Sequence, residues 1–177
     1  DLLGSRGLGD VYKRQGKTHT VEFAMGSFGT NQHMGSPKNP WDLEDHRATG
    51  GSSAGTAAAV AAGLSPWGIG TDTGGSVRIP SAWCGLTGLK TSVGRISTHG
   101  VLPLSHTLDT PGPMCRSVED AAILYRILAG PDEQDSRTVI HSVEDPFPEL
   151  KKGISGIKLV RVSDSELENV DSENLEA

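Results

Sequence analysis

Two glycine–serine clusters, Gly50-Gly51-Ser52-Ser53-Ala54-Gly55 and Asp72-Thr73-Gly74-Gly75-Ser76-Val77-Arg78, bracket the most constraining stretch of this sequence. Between them runs Ala54-Gly-Thr-Ala-Ala-Ala-Val-Ala-Ala62, stopped by Gly63 and Pro66. With Ser52 or Ser53 as cap, this run predicts a helix. Its side chains are small on every side, which suits tight burial against a sheet. Trp67 to Thr71 then predicts a short buried strand leading into Gly74 and Gly75. Glycines before a serine let the backbone bend sharply and turn its N–H groups toward a ligand. A serine held there faces a cleft, with donors nearby for a developing oxyanion. A single Gly-Gly-Ser is ordinarily a turn. Two such clusters, with Ser52 and Ser76 separated by 24 residues and joined by a helix and a buried strand, point to nucleophilic chemistry.

The remaining pattern alternates strand and helix. Leu86 to Lys90 predicts a second strand and Gly156 to Val162 a third. Ser117 to Ala129 predicts a helix with a capping box (Ser117 with Asp120), Glu119 in its first turn and Gly130 as its stop. The apolar face of that helix comprises Val118, Ala121, Ala122, Tyr125 and Leu128. From Gly16 to Asp45 the chain is loop-rich, with Phe23, Met25 and Phe28 as apolar anchors, and the tail from Asp164 is acidic and weakly helical. The expected class is α/β: a mixed, mostly parallel sheet flanked by helices.

Composition narrows the function. A net charge of −6 opposes non-specific nucleic-acid binding, which needs a basic face. The two cysteines, Cys84 and Cys115, read as reduced thiols, and the longest apolar run, Ala57 to Leu64, is too short to span a bilayer. A cytoplasmic protein is expected, with neither membrane nor nucleic acid as a direct partner. Cys84 beside Trp83 reads as core packing. The six histidines (His19, His33, His46, His99, His106 and His141) lack metal-ligand spacing, so no metal is expected. Residues 1–15 differ in composition from the rest of the chain. Asp10 to Gln15 can be encoded by GATGTGTATAAGAGACAG, a transposon end used in preparing sequencing libraries, so 1–15 is expected to be a non-native, adapter-derived leader.

The stretch GGSSAGTAAAVAAGLSPWGIGTDTGGSVRIPSAWCGLTGLKTSVGRIS, Gly50 to Ser97, resembles the signature region of the amidase signature family. The resemblance extends upstream through GKTHTVEFAMGSFGTNQHMGSPKNPWD and downstream through HGVLPLSHTLDTPGPMCRSVEDAAILYRILAG, and covers Gly153 to the end loosely. It implies that Ser76 is the nucleophile and that Ser52, after a cis Gly51–Ser52 peptide, relays its proton to a lysine. It further implies oxyanion donors from the backbone N–H groups of Thr73, Gly74, Gly75 and Ser76. Asp72 and Arg78 would pair to hold the loop, and Ser53 would support Ser52. The implied reaction is hydrolysis of a carboxylic amide through a serine acyl-enzyme, without a cofactor. The expected partners are a small-molecule amide and either a second copy in a homodimer or the subunits of an amidotransferase. The family's lysine is expected upstream of residue 1; Lys17 and Lys90 match other stretches. Residues 16–177 are therefore expected to be the central part of an amidase domain, truncated at both ends and inactive alone.

Four other readings compete, one of them a catalytically dead binding relative, which the presence of both Ser52 and Ser76 disfavours. Gly51-Ser-Ser-Ala-Gly55 satisfies Gly-x-Ser-x-Gly, an esterase elbow with Ser53 attacking, but Glu44-Asp-His-Arg47 is no hydrophobic strand. Asp72-Thr73-Gly74 resembles an aspartic-protease triplet, whose only echo, Asp109-Thr110-Pro111, lacks the glycine. The glutamine-hydrolysing chain of a tRNA-dependent amidotransferase would share the serine chemistry. Leu102 to Asp109 looks more like general amidases than like those glutamine-using chains.

Overall fold

The computed structural model describes residues 16–138, 142, 143 and 145–176; the 1–15 leader assignment falls outside them. The chain divides into two units, the first ending at Pro146 and the second spanning Phe147–Ala177. In the first, helix α1 (Ala54–Ala61) precedes strand β1 (Trp67–Asp72), helix α2 (Arg78–Trp83) and strand β2 (Thr87–Gly88); strand β3 (Thr110–Cys115) and helix α3 (Val118–Leu128) follow. The second includes the short helices α4 (Phe147–Leu150) and α5 (Ser172–Glu176), with a single 3-10 turn at Asp164–Glu166 between them. The sequence places α1, β1 and α3 to within a residue or two, because local spacing and caps specify them. At α3 the Ser117 hydroxyl accepts the Asp120 amide, as the capping pattern predicts.

The sheet order is β1-β3-β2, and both pairings are antiparallel, which corrects the expected mostly parallel sheet. The physical reason lies in β3, Thr-Pro-Gly-Pro-Met-Cys, which carries almost no strand signal. β1, α2 and β2 do form a strand–helix–strand unit, but β3 inserts between the two strands and pairs with each. Its prolines are tolerated because alternate residues of a strand turn their polar groups to opposite edges. The Pro113 carbonyl accepts the Leu89 amide at 3.0 Å, so Pro113, and Pro111 two residues before it, face β2. The edge of β3 toward β1 keeps its donors and supports a register of six pairs, Trp67↔Cys115 through Asp72↔Thr110. On the proline side β2 contributes only two residues.

Helices cover both faces. Met114 packs with Ala57 of α1, Val77 and Cys84, whereas its neighbour Cys115 packs on the other face with Ala121 and Leu124 of α3. Consecutive strand residues point to opposite faces, so β3 alone seeds two cores. Both thiols are buried, and burial pushes the Cys84 thiol up to about 11. The face of α3 differs from expectation: Leu124 is buried, while Val118 is 55% exposed. Phe23, Met25 and Phe28 are likewise exposed rather than anchoring; Val21 is buried instead, and Phe28 meets Trp83 edge-on at 5.9 Å. Gly156 to Val162 forms no strand and is exposed throughout, for no described strand pairs with it. No helix among the described residues is long and apolar enough to cross a membrane.

Candidate active site

The two glycine–serine clusters meet at the end of β1. Ser53 donates its backbone amide to the Ser76 carbonyl at 3.3 Å, so the segments that carry Ser52 and Ser76 are tied one residue away from each other. The small side chains of α1 permit this approach, as does Gly70 on β1. A Cβ on Gly70 would stand 2.6 Å from Ser53 Oγ and 3.0 Å from Met114 Sδ. Gly70→Ala is therefore expected to overpack this junction and destabilise the protein by about 1–3 kcal/mol, measured by urea denaturation. A stability within error of the parent would show that the junction is looser than described.

Ser53 stands at the N-cap position of α1, but its side chain makes no capping bond. The hydroxyl instead accepts the Thr71 amide at 3.2 Å and reaches the Thr71 carbonyl at 3.4 Å. Engaged on both sides by β1 and preceded by no strand, Ser53 lacks the free hydroxyl and the strand–turn–helix setting of an esterase elbow.

Ser52 differs. The Gly51–Ser52 peptide is cis. The Ser52 carbonyl accepts the Val21 amide at 3.1 Å and the Thr20 hydroxyl at 2.9 Å, so the upstream segment holds its backbone. The residue is fully buried, and its hydroxyl has no hydrogen-bond partner among the described residues. A buried hydroxyl without a partner costs roughly 1–3 kcal/mol, so its presence asks for an explanation.

Ser76 lies on the turn between β1 and α2, half-buried, with its neighbour Val77 sunk in the core. Asp72 holds this turn from within. Its carboxylate is fully buried and accepts the Gly75 amide at 2.7 Å, the Val77 amide at 3.2 Å and the Arg78 amide at 3.3 Å. The Arg78 guanidinium adds two bonds of 3.0 Å, through Nε to one oxygen and Nη2 to the other. Burial alone would favour the neutral acid, but the Arg78 guanidinium and the amides of the turn hold the carboxyl below the usual carboxylate range. Gly75 has φ of +133°, and a Cβ there would meet Ile79 Cδ1 at 2.7 Å, so only glycine fits the bend. Of the four backbone donors the sequence nominates, Gly75 thus spends its N–H on Asp72. The amides of Thr73, Gly74 and Ser76 make no hydrogen bond to a described residue.

Asp109 escapes sequence reasoning except as a failed protease echo. It stands just before β3, one step beyond the Asp72↔Thr110 pair, and is buried. The Thr73 hydroxyl donates to its Oδ1, while Oδ2 accepts the Leu104 amide at 2.8 Å and the Ser105 amide at 3.0 Å. Burial opposes its charge, but these donors, Thr73 first, hold its carboxyl below the usual range. Each aspartate has its own donors, so they form no proton-sharing dyad. The signal that could have found Asp109 is two residue types at complementary ends of paired strands, which requires knowing that β3 is a strand.

Of the lysines, Lys90 Nζ donates to the Thr91 carbonyl at 2.8 Å, and Lys17 is exposed beside Val60 and Leu64 of a different cavity. A cavity of about 640 Å³ opens on the Ser53 side, lined by His19, Thr20, Ser53, Thr71, Leu102 and Leu104 among others. Among the described residues no group of three or more His, Cys, Asp or Glu could hold a metal ion.

Comparison with known proteins places this arrangement among relatives. The family model described as Amidase matches residues 14–177. The A subunit of the glutamyl-tRNA(Gln) amidotransferase of Coxiella burnetii is 51% identical over 144 residues, which is 81% of this chain and 29% of that protein. Among solved structures, the corresponding glutamyl-tRNA(Gln) amidotransferase chain of Thermotoga maritima superimposes with a TM-score of 0.74 at 45% identity, over 80% of this chain and 30% of that one. The peptide amidase of Stenotrophomonas maltophilia gives 0.66 at 39%, over 73% of this chain and 28% of that one. The chain thus spans about three-tenths of the length of the curated relatives it matches.

Proposed function

We propose a reaction from the premise that this chain belongs to the amidase family: the protein hydrolyses a carboxylic amide C–N bond through an acyl-enzyme on Ser76. The observation that carries the reading is the Ser52 hydroxyl, buried without a partner among the described residues, one residue from the amide that bonds Ser76. A serine hydroxyl attacks slowly until a base takes its proton. Ser52 is the relay: Ser76 Oγ forms the new C–O bond as its proton passes to Ser52 and on to a basic lysine. Neither Lys90, which donates to the Thr91 carbonyl, nor the exposed Lys17 is nominated as that base. The carbonyl oxygen becomes an oxyanion facing the free amides of Thr73, Gly74 and Ser76. Collapse breaks the C–N bond, the amine leaves with the proton, and water releases the acid from the Ser76 ester.

The amidotransferase reading is favoured by one specific observation: the matched relatives at 51% identity carry that name. Both readings share the Ser76 chemistry and differ in the amide and the assembly. A fluorophosphonate reacted with the complete gene product is expected to leave one adduct, mapped by mass spectrometry to Ser76. Release of ammonia from benzamide by the purified protein alone supports an independent amidase; release from glutamine, raised by co-purifying subunits, supports an amidotransferase. An adduct on Ser53, or none on Ser76, overturns the nucleophile assignment.

A further inference from the structure

We propose that Asp109 is a positioning residue for this reaction, setting the Thr73 peptide of the oxyanion turn and tying it to the 102–108 loop; the proposal rests on the Ser76 reading. Asp72 grips the far side of the turn through Gly75, Val77 and Arg78. It makes no bond to Thr73 or Gly74, whose amides, like that of Ser76, bond no described residue. Among the described residues, the side-chain bond on that near side is the one from Thr73 Oγ1 to Asp109. A hydroxyl donating in a fixed direction fixes the Thr73 rotamer, and with it the orientation of the backbone on which the free amides sit. Asp109 is itself immobilised: it is 5% exposed, it immediately precedes a fully buried strand, and its second oxygen holds the Leu104 and Ser105 amides.

Electrostatics argues that this role is geometric. A bare carboxylate beside a developing oxyanion would repel it. Here the charge is spread over three donors, and the Thr73 hydroxyl stands between the carboxylate and the turn. The Leu104 amide belongs to a segment that lines the cavity next to Ser53. One carboxylate therefore links the donor turn to a wall of the adjacent cavity.

The test uses the complete gene product, with ammonia release from benzamide or glutamine, whichever it turns over, and the rate of fluorophosphonate labelling at Ser76. Thr73→Val removes only the hydroxyl and keeps the shape. Its kcat is expected to fall about 10–100-fold with KM within about twofold, the signature of a misaligned donor rather than of lost binding. Thr73→Ser restores the hydroxyl and is expected to recover kcat to within about threefold of the parent. Asp109→Ala should lose at least as much as Thr73→Val, and the double variant should be no worse than Asp109→Ala alone, because both cut the Thr73–Asp109 bond. A thermal melt of each variant separates folding from function. Two results overturn the proposal while leaving the nucleophile in place: Thr73→Val with kcat unchanged and Ser76 still labelled, or losses that simply add. A parent protein not labelled at Ser76 removes both the reaction and this inference.

Discussion

Ser76→Ala in the complete protein is expected to lower kcat/KM by at least about 10⁴-fold, Ser52→Ala to leave a measurable remainder, and Ser53→Ala to cost least. The order follows from what each hydroxyl touches. In the proposed reaction Ser76 makes the covalent bond to the acyl group, and the other hydroxyl of its turn, that of Thr73, is spent on Asp109. In the same proposal Ser52 passes a proton from a buried site where its Oγ has no partner among the described residues, so a water in the space left by alanine can carry part of that traffic. Ser53 spends its hydroxyl on the Thr71 amide and carbonyl. Its loss weakens a structural junction by about 1 kcal/mol and leaves the reacting atoms alone. Steady-state kinetics on the three variants checks the order. Near-parental activity in Ser76→Ala beside a dead Ser53→Ala would transfer the nucleophile to Ser53.

Asp72→Ala is expected to destabilise the protein by about 3 kcal/mol and to remove most activity, because three backbone amides lose a buried acceptor at once. Most of that cost belongs to the amides, since the Arg78 side chain is 54% exposed and can return to water. The same group gives the stability an acid limit. Asp72, Asp109 and Asp135 all titrate below their ordinary value. For Asp135, burial opposes the charge, and the Thr98 amide and the Arg137 guanidinium overcome it. A depressed carboxyl binds its proton more weakly folded than unfolded, so its contribution is present above the unfolded value of about 3.9 and is lost as pH falls toward the folded one. Thermal melts should therefore be flat from neutrality down to about pH 5 and fall steeply below about pH 4. Asp72→Asn, which carries no charge to lose, should melt lower at neutral pH and show a shallower acid decline. An Asp72→Asn variant with the parental slope would assign the acid limit to the other depressed carboxylates, Asp42, Asp109, Asp132 and Asp135.

Much of the site is legible in the residues alone because its parts are local. Glycines before Ser52 and Ser76 announce two sharp bends, the alanine run announces a helix with no bulky face, and Asp72 and Arg78 stand close enough in sequence to pair around a single turn. The alternation of strand and helix points to the α/β class, and two layers of helices do cover the sheet. What misleads is also local. Phe23, Met25 and Phe28 are large and apolar and so read as anchors, but the nearby segment is held by the Val21 amide on the Ser52 carbonyl and by the Val21 side chain in the core.

Local chemistry in this sequence determined α1, β1 and α3 with its Ser117 cap, since each depends on neighbours a few positions away. Tertiary structure decided the rest. It made Thr110–Cys115 a strand despite two prolines, because both turn their missing donors toward the short β2 side. That insertion, which no periodicity records, turned the sheet antiparallel and brought Asp109 level with Thr73. It left Ser53 bonded to β1 rather than capping its own helix. Which hydroxyl is free and which is engaged is a matter of partners 18 to 36 residues distant in the chain, and only packing can choose them.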